Sequence, residues 1–197
     1  MKVAITGANR GLGKMLIEQL CAKWRPVGFS RPEYDISTDE GIDKIVNTLK
    51  NDSGYSKFIN NAHSPFSQTK LLQRVFDLWK NDDTKNIVNI ISRAKYPNLS
   101  KGYMYSASKS SLSHLSDSLK FTTDKKCRII DINPGLFDSD LPSVTTKDVS
   151  DVIIWALNKP KNIEIGEVSI WSRNCYKEVQ KLKQIKLNES RKNMGQD

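Results

Sequence analysis

Short apolar segments alternate with amphipathic ones along this whole chain, and that alternation constrains its fold more than any other feature. Residues 2–6 (KVAIT), 27–30 (VGFS), 57–62 (KFINNA), 86–92 (NIVNIIS), 127–133 (CRIIDIN) and 163–171 (IEIGEVSIW) read as strands, and 33–37 (EYDIS) is long enough only for a stub. Between them, residues 13–24, 39–50, 69–80, 103–123 and 146–158 carry apolar side chains at helical spacing. In the second of these, Ile42, Ile45, Val46 and Leu49 form the stripe and Asp39 is placed to cap. In the third the stripe is Leu71, Leu72, Val75, Phe76 and Trp79. Strands that are apolar nearly throughout cannot show a face to water. They belong in an α/β domain whose doubly wound parallel sheet, of six or seven strands, is covered by helices on both faces.

A chain of 197 residues can bury a core without disulfide or metal staples and reads as one domain. No apolar run approaches the ~18 residues of a membrane span, so a membrane is not expected as a partner. MKVAIT enters the first strand without a leader pattern. Cys21, Cys127 and Cys175 are widely spaced and odd in number, which suits reduced thiols in a cytoplasmic protein rather than a disulfide framework or a metal site. The net charge is +9, and residues 173–197 contribute seven Lys or Arg against three acids. The expected organisation is therefore a domain over 1–172 followed by a basic helix or tail over 173–197. Such a tail attracts phosphate, but with few aromatics it reads more simply as solvated, and nucleic acid is not expected as a partner.

The first strand runs directly into TGANRGLG, residues 6–13, and a helix follows at once. Here Gly7 permits a tight turn, Gly11 lets the backbone approach a pyrophosphate, and Gly13 lets the helix pack against the strand. Asn9, Arg10 and Leu12 complete the turn. The free N–H groups at the start of a helix then face an anion. A strand, a glycine turn and a helix in that order are the context a dinucleotide-binding site requires.

A second cluster, KGYMYSASKSS at 101–111, sets tyrosines and serines around one lysine. Tyr105 and Lys109 are four apart and share one helix face. Of the six tyrosines, only Tyr105 has a lysine at that offset, since Ala107 follows Tyr103 at the same distance. The Gly-x-x-x-Gly-x-Gly turn together with Tyr105 and Lys109 resembles the short-chain dehydrogenase/reductase family. Three further segments extend the resemblance, in order, to about residue 172. NNAH (60–63) is similar to that family's Asn-Asn-Ala-Gly. IVNIIS (87–92) is similar to the strand that ends at its serine, Ser92 standing thirteen residues before Tyr105. NPGLFDSD (133–140) is similar to its Pro-Gly segment, with Ser139 where threonine is usual.

The resemblance implies a Rossmann-like fold, a nicotinamide cofactor and a small carbonyl or alcohol substrate. It makes Ser92, Tyr105 and Lys109 the catalytic residues. Tyrosine can give the proton a carbonyl needs on reduction, and a nearby ammonium favours the phenolate form of a group whose unperturbed pKa is ~10. Lys109 would also hold the nicotinamide ribose, and Ser92 would orient the substrate oxygen. Cofactor contacts would come from the glycine turn, from Asp35 and Ile36, from Asn60, Asn61, Ala62 and His63, and from Pro134, Gly135, Phe137 and Ser139. For Asp35 a turn or capping role is the competing reading. His63 reads as structure or cofactor wall, because His114 is the only other histidine and no metal cluster exists. No acid ends the second strand, where one would favour NAD. Arg10 and Arg31, with Ser30, suit a 2′-phosphate, so NADP (NADPH) is expected.

Two departures from the family stand out. Residues 64–80 contain no asparagine to anchor a proton relay, although Ser64, Ser67, Gln68 and Thr69 lie in that region. The segment between Phe29 and Asp35 is also compressed. The reading is an NADP-dependent carbonyl reductase or alcohol dehydrogenase, with a homo-oligomer left open. The alternatives are an epimerase or dehydratase acting on a nucleotide sugar, which the short stretch after the Pro-Gly segment disfavours, and a cofactor-binding sensor or scaffold without turnover.

Overall fold

Six strands, all parallel, form one sheet in the computed structural model, which describes residues 1–97, 102–137 and 143–174. The chain runs β1 (Lys2–Thr6), α1 (Gly11–Leu20), β2 (Arg25–Phe29), α2 (Asp39–Asn51), β3 (Tyr55–Asn60), α3 (Ser67–Trp79), β4 (Asn86–Ile90), a 3₁₀ turn (Arg93–Lys95), α4 (Tyr103–Lys120), β5 (Arg128–Pro134), α5 (Thr146–Leu157) and β6 (Glu167–Ile170). The lateral order is β2-β1-β3-β4-β5-β6. The chain steps outward from β1 to β2, then returns to the other side of β1 to build the rest. The crevice at the carboxyl ends of β1 and β3 is therefore the switch point at which such sheets bind ligands.

Alternation along the strands divides the core in two. Ala4, Phe58, Ile87 and Ile129 point to one face, under α2, α3 and α4. Val3, Ile5, Ile59, Val88, Ile130 and Ile132 point to the other, under α1 and α5. Both faces are dry, as the near-continuous apolar strands require.

The elements depart from the sequence reading in small ways with local causes. The stub at 33–37 does not pair, so the sheet has six strands. Asp35 instead folds a turn, its carboxylate accepting from Ser37 N (2.9 Å) and its carbonyl from Thr38 N (3.1 Å). The cap of α2 is Thr38, whose hydroxyl accepts from Gly41 N, and not Asp39. Helix α1 stops at Leu20, where the N–H groups of Lys23 and Trp24 both close on the Leu20 carbonyl. Strand β2 begins before the expected position and includes Pro26, which an edge strand tolerates because its missing N–H faces no partner. The last strand is shorter than expected. Arg128 Nη1 donates to the carbonyls of Lys159, Pro160 and Ile163 and holds that segment outside the ladder.

One polar row crosses the α3/α4 face. Asn60, Asn89 and Asp131 are register partners on β3, β4 and β5, and each is fully buried. Asn60 Nδ2 donates to Asn89 Oδ1 (3.3 Å), and Asn89 Nδ2 to Asp131 Oδ1 (2.9 Å). Ser116 and Lys120 of α4 also donate to the Asp131 carboxylate, at 2.8 and 2.6 Å. Burial pushes the Asp131 carboxyl up from its usual range despite those donors. Removing the acceptor would strand Lys120, Asn89 and Ser116. Asp131→Ala is expected to lose about 3–5 kcal/mol in urea unfolding, with Asp131→Asn losing less.

Candidate active site

The turn after β1 is built by backbone conformations that side chains disfavour. Gly7 and Gly11 have φ of 68° and 53°. At Gly13 the constraint is space, since a Cβ there would lie 2.1 Å from the Gly7 carbonyl oxygen. Arg10 stands at the N-cap of α1 in an extended conformation, with no side-chain cap and no acid in the first turn. That helix end therefore presents its N–H groups and positive dipole without a competing anion in its own first turn.

Neighbouring loops fix this turn in place. Ala8 N donates to Ser30 Oγ (2.9 Å), and Gly7 N to the Phe29 carbonyl (2.8 Å). On the other side Thr6, fully buried, accepts from Asn61 N and Ala62 N, both at 2.9 Å. Asn61 Nδ2 returns the contact by donating to Thr6 O (2.9 Å) and Gly7 O (3.3 Å). Thr6 thus binds the two sides of the crevice together, a role that its place inside an apolar run does not announce. Arg10 and Arg31 are both exposed. They leave the sheet at one level, because Thr6 pairs with Phe29 across β1 and β2.

Helix α4 brings the second cluster to the same edge. Lys109 is 3 % exposed, and its ammonium donates to Gln68 Oε1 and to the Ile90 carbonyl, each at 2.7 Å. Its Nζ lies 5.8 Å from the centroid of the Tyr105 ring. Burial pushes the Lys109 pKa down to about 7. Tyr105 is partly buried and packs edge-on against His63 with ring centroids 4.9 Å apart. Tyr103, by contrast, is 81 % exposed. The His63 pKa is lowered, first by desolvation and then by the Lys109 charge. Ser92 lies two residues beyond β4, caps the 3₁₀ turn and is buried, its Oγ accepting from Ala94 N (3.1 Å).

Gln68 is the residue that sequence reasoning did not resolve. It is buried on the first turn of α3, its Nε2 donates to the Asn60 carbonyl (2.9 Å), and its own carbonyl accepts from Asn60 Nδ2 (3.0 Å). With Oε1 on Lys109, it couples the lysine to the polar row under the sheet. The signal available in the sequence was a glutamine at the start of a region without asparagine, which also holds Gln73.

The remaining site residues divide. Gly135 N donates to the Ile170 carbonyl (2.8 Å), and a Cβ on Gly135 would lie 2.8 Å from Trp171 Cβ. Pro134 ends β5, and Phe137 forms a bridge with Val144. Asn60 faces the interior and ties β3 to α3 rather than opening to the crevice. Ile36 is a core residue under α2, and one oxygen of Asp35 is committed to its turn. Ser139 and Cys175 lie outside the described residues, as does nearly all of 173–197. Among the described residues, no three His, Cys, Asp or Glu side chains gather as a metal site.

Lys109 makes its electrostatics measurable. Its folded pKa of about 7 lies below the ordinary lysine value of 10.5, so between those limits the unfolded chain binds more protons. Stability then rises with pH across that window and levels off below pH 7. Relative to Lys109→Met, the protein is expected to gain up to about 1.4 kcal/mol per pH unit between pH 7 and 9 in urea titrations. Parallel curves for the two proteins would show that the lysine is not held in this state.

Comparison with known proteins bears on this arrangement. A family model of short chain dehydrogenases matches residues 41–150. An NADP-dependent 3-hydroxy acid dehydrogenase of Schizosaccharomyces pombe is 24% identical over 151 residues, 66% of this chain and 57% of that protein. An uncharacterized oxidoreductase of Staphylococcus saprophyticus is 28% identical over 100 residues, 46% of this chain and 43% of that protein. The chain thus spans about half the length of these curated relatives. In fold it is similar to serine dehydrogenase from Escherichia coli, with a TM-score of 0.71 at 18% identity over 87% of this chain and 97% of that one. It is likewise similar to a short chain dehydrogenase from Burkholderia cenocepacia solved with NADP, with a TM-score of 0.72 at 20% identity over 92% of each chain. The matched segment takes in Ser92, Tyr105 and Lys109 and more than half of the sequence, and the chain belongs to the short-chain dehydrogenase family.

Proposed function

We propose that this protein is an NADP-dependent oxidoreductase of the carbonyl reductase or alcohol dehydrogenase type. The observation that supports the reading is that the Lys109 ammonium lies 5.8 Å from the Tyr105 ring and donates to the Ile90 carbonyl at the end of β4, two residues before Ser92, while Tyr105 packs on His63 beyond β3. The cofactor fits the residues present. The crowding at Gly13, the positive φ of Gly7 and Gly11, and the acid-free start of α1 leave a cradle for a pyrophosphate. Arg10 and Arg31 supply two guanidinium groups for a 2′-phosphate. The S. pombe relative is named as NADP-dependent, which agrees with that assignment.

When bound, the nicotinamide supplies the hydride. The chain's own groups supply the rest. Tyr105 gives its hydroxyl proton to the carbonyl oxygen on reduction and takes it back on oxidation. Ser92 donates a hydrogen bond to the same oxygen as charge develops there. Lys109, held by Gln68 and the Ile90 carbonyl and 5.8 Å from the Tyr105 ring centroid, would hold the nicotinamide ribose. His63 packs against the tyrosine ring and limits its motion.

Loss of NADPH absorbance against a panel of carbonyls tests the reading. Tyr105→Phe is expected to keep the fold and the cofactor affinity and to lose roughly 10²–10⁴-fold in rate. Tyr103→Phe, at a residue in solvent, is expected to stay close to the parent. Cofactor binding without turnover of any carbonyl would leave the sensor or scaffold reading instead. For the cofactor, the expected outcome is tighter binding of NADPH than NADH, with the preference reduced by Arg10→Ala and Arg31→Ala together. Equal affinities in the parent protein would overturn that assignment.

A further inference from the structure

The segment that leaves β3 carries His63 where the resembling family motif has glycine. Its imidazole stands edge-on to the Tyr105 ring, with centroids 4.9 Å apart and planes at 73°. His63 is exposed, so the imidazole meets water on one side and the tyrosine on another. Among the described residues, the titratable groups that face it are Tyr105 and Lys109, both from α4, and Gln68 of α3 meets it with a neutral side chain. Desolvation and then the Lys109 charge lower its pKa, with Gln68 acting the other way, so the imidazole rests neutral near pH 7. Lys109 cannot draw on solvent in the same manner. It is 3 % exposed, and its two protein partners are a carboxamide oxygen and a backbone carbonyl. Neither of those groups takes up a proton near neutral pH and hands it on.

We infer that His63 is a proton carrier that reloads Tyr105 from solvent in each turnover. The inference rests on the oxidoreductase reading above and deepens it. On reduction, hydride goes from NADPH to the carbonyl carbon and the phenol proton to the carbonyl oxygen, which leaves Tyr105 as the phenolate. That negative charge, set against the imidazole, raises its affinity for a proton at the moment one is needed. His63 takes the proton from hydronium or a buffer acid at its exposed side. An imidazole N–H then gives it to the phenolate oxygen, and both groups return to their resting states. The one proton that the net reaction consumes thus comes from solvent, and on oxidation the same steps run in reverse. Imidazole suits the task because its ordinary pKa of ~6.5 lets it gain and lose a proton near neutral pH.

The test uses the carbonyl that the parent protein reduces fastest and two variants that separate packing from proton transfer. His63→Phe keeps an aromatic edge against Tyr105 and removes both nitrogens. It is expected to lower kcat by roughly 10²-fold, the low end for a positioned proton donor, with KM for NADPH close to the parent value. His63→Ala is expected to be slow as well, and added imidazole should restore part of its rate in proportion to concentration. If His63→Phe runs at the parent rate, or if imidazole gives His63→Ala nothing, the ring only braces the tyrosine and the inference is overturned. The oxidoreductase reading survives that result. A parent protein that reduces no carbonyl overturns the reading and this role together. Proton NMR of the imidazole C–H signals in protein loaded with NADP gives a readout independent of turnover. There His63 is expected to titrate still, with a midpoint that rises in Lys109→Met as the neighbouring charge is lost. A His63 that no longer titrates once NADP is bound is closed to solvent and would sink the inference.

Discussion

A continuous chain of buried hydrogen bonds connects the chemistry of this protein to its framework. It begins at Lys109, passes through Gln68 to Asn60, and crosses the sheet through Asn89 to Asp131, where Lys120 closes it. An interior that is otherwise apolar makes each link costly to break, since a buried donor or acceptor left alone bears its full desolvation penalty. The row therefore fixes more than stability. It sets the register of β3, β4 and β5 and the seating of α3 and α4 on them. It also sets the height at which Lys109 meets Tyr105. A slip of any strand by one residue would turn its polar member to the α1/α5 face, where no partner waits.

The two ends of that chain behave differently because their surroundings differ. At the far end Lys120 has a carboxylate beside it, and its pKa is raised as Asp131 and Asp117 outweigh burial. At the near end Lys109 meets only neutral oxygens. A neutral amine can satisfy both of them, so burial acts on Lys109 without an opposing charge. Two lysines on one helix, both largely buried, thus have pKa values moved in opposite directions, and the difference lies in the partners the sheet places under each.

Much of this was legible in the sequence, for reasons that also explain what was not. The strands and helices were readable because the four inner strands are buried nearly throughout, and that condition leaves a pattern any parallel sheet shares. The glycine turn was readable because positive φ and close approach admit few residues. Tyr105 and Lys109 were readable from a local spacing. The roles of Asn60 and Gln68 were not, because they depend on which strands lie side by side, and lateral order is not written in local periodicity. NNAH reads as one crevice motif, yet the pleat sends Asn60 into the core and lets Asn61 reach back to the glycine turn. Asp35 and Ile36 show the same limit. The compressed loop spends one carboxylate oxygen on a turn and the isoleucine on the core.

The short loop after β2 also shows why a sheet ending there can still hold a reacting site. The crevice forms between β1 and β3, two places in from nothing more than β2 on that side. Everything proposed to act on the substrate stands on α4 or just after β4, on the other side of the switch point. Ending the sheet at β2 therefore changes only the wall beyond the glycine turn, where Arg10 and Arg31 stand. It leaves one exposed edge, which Pro26 blunts by withholding an N–H and Arg25 by its charge. On the proposed reading, selectivity for the phosphate end of the cofactor would fall to two arginines in solvent, whereas at the reacting end Lys109 is tied through Gln68 to the buried polar row. Substitutions at the first end are expected to change which cofactor binds, and substitutions at the second to change both the chemistry and the stability of the fold.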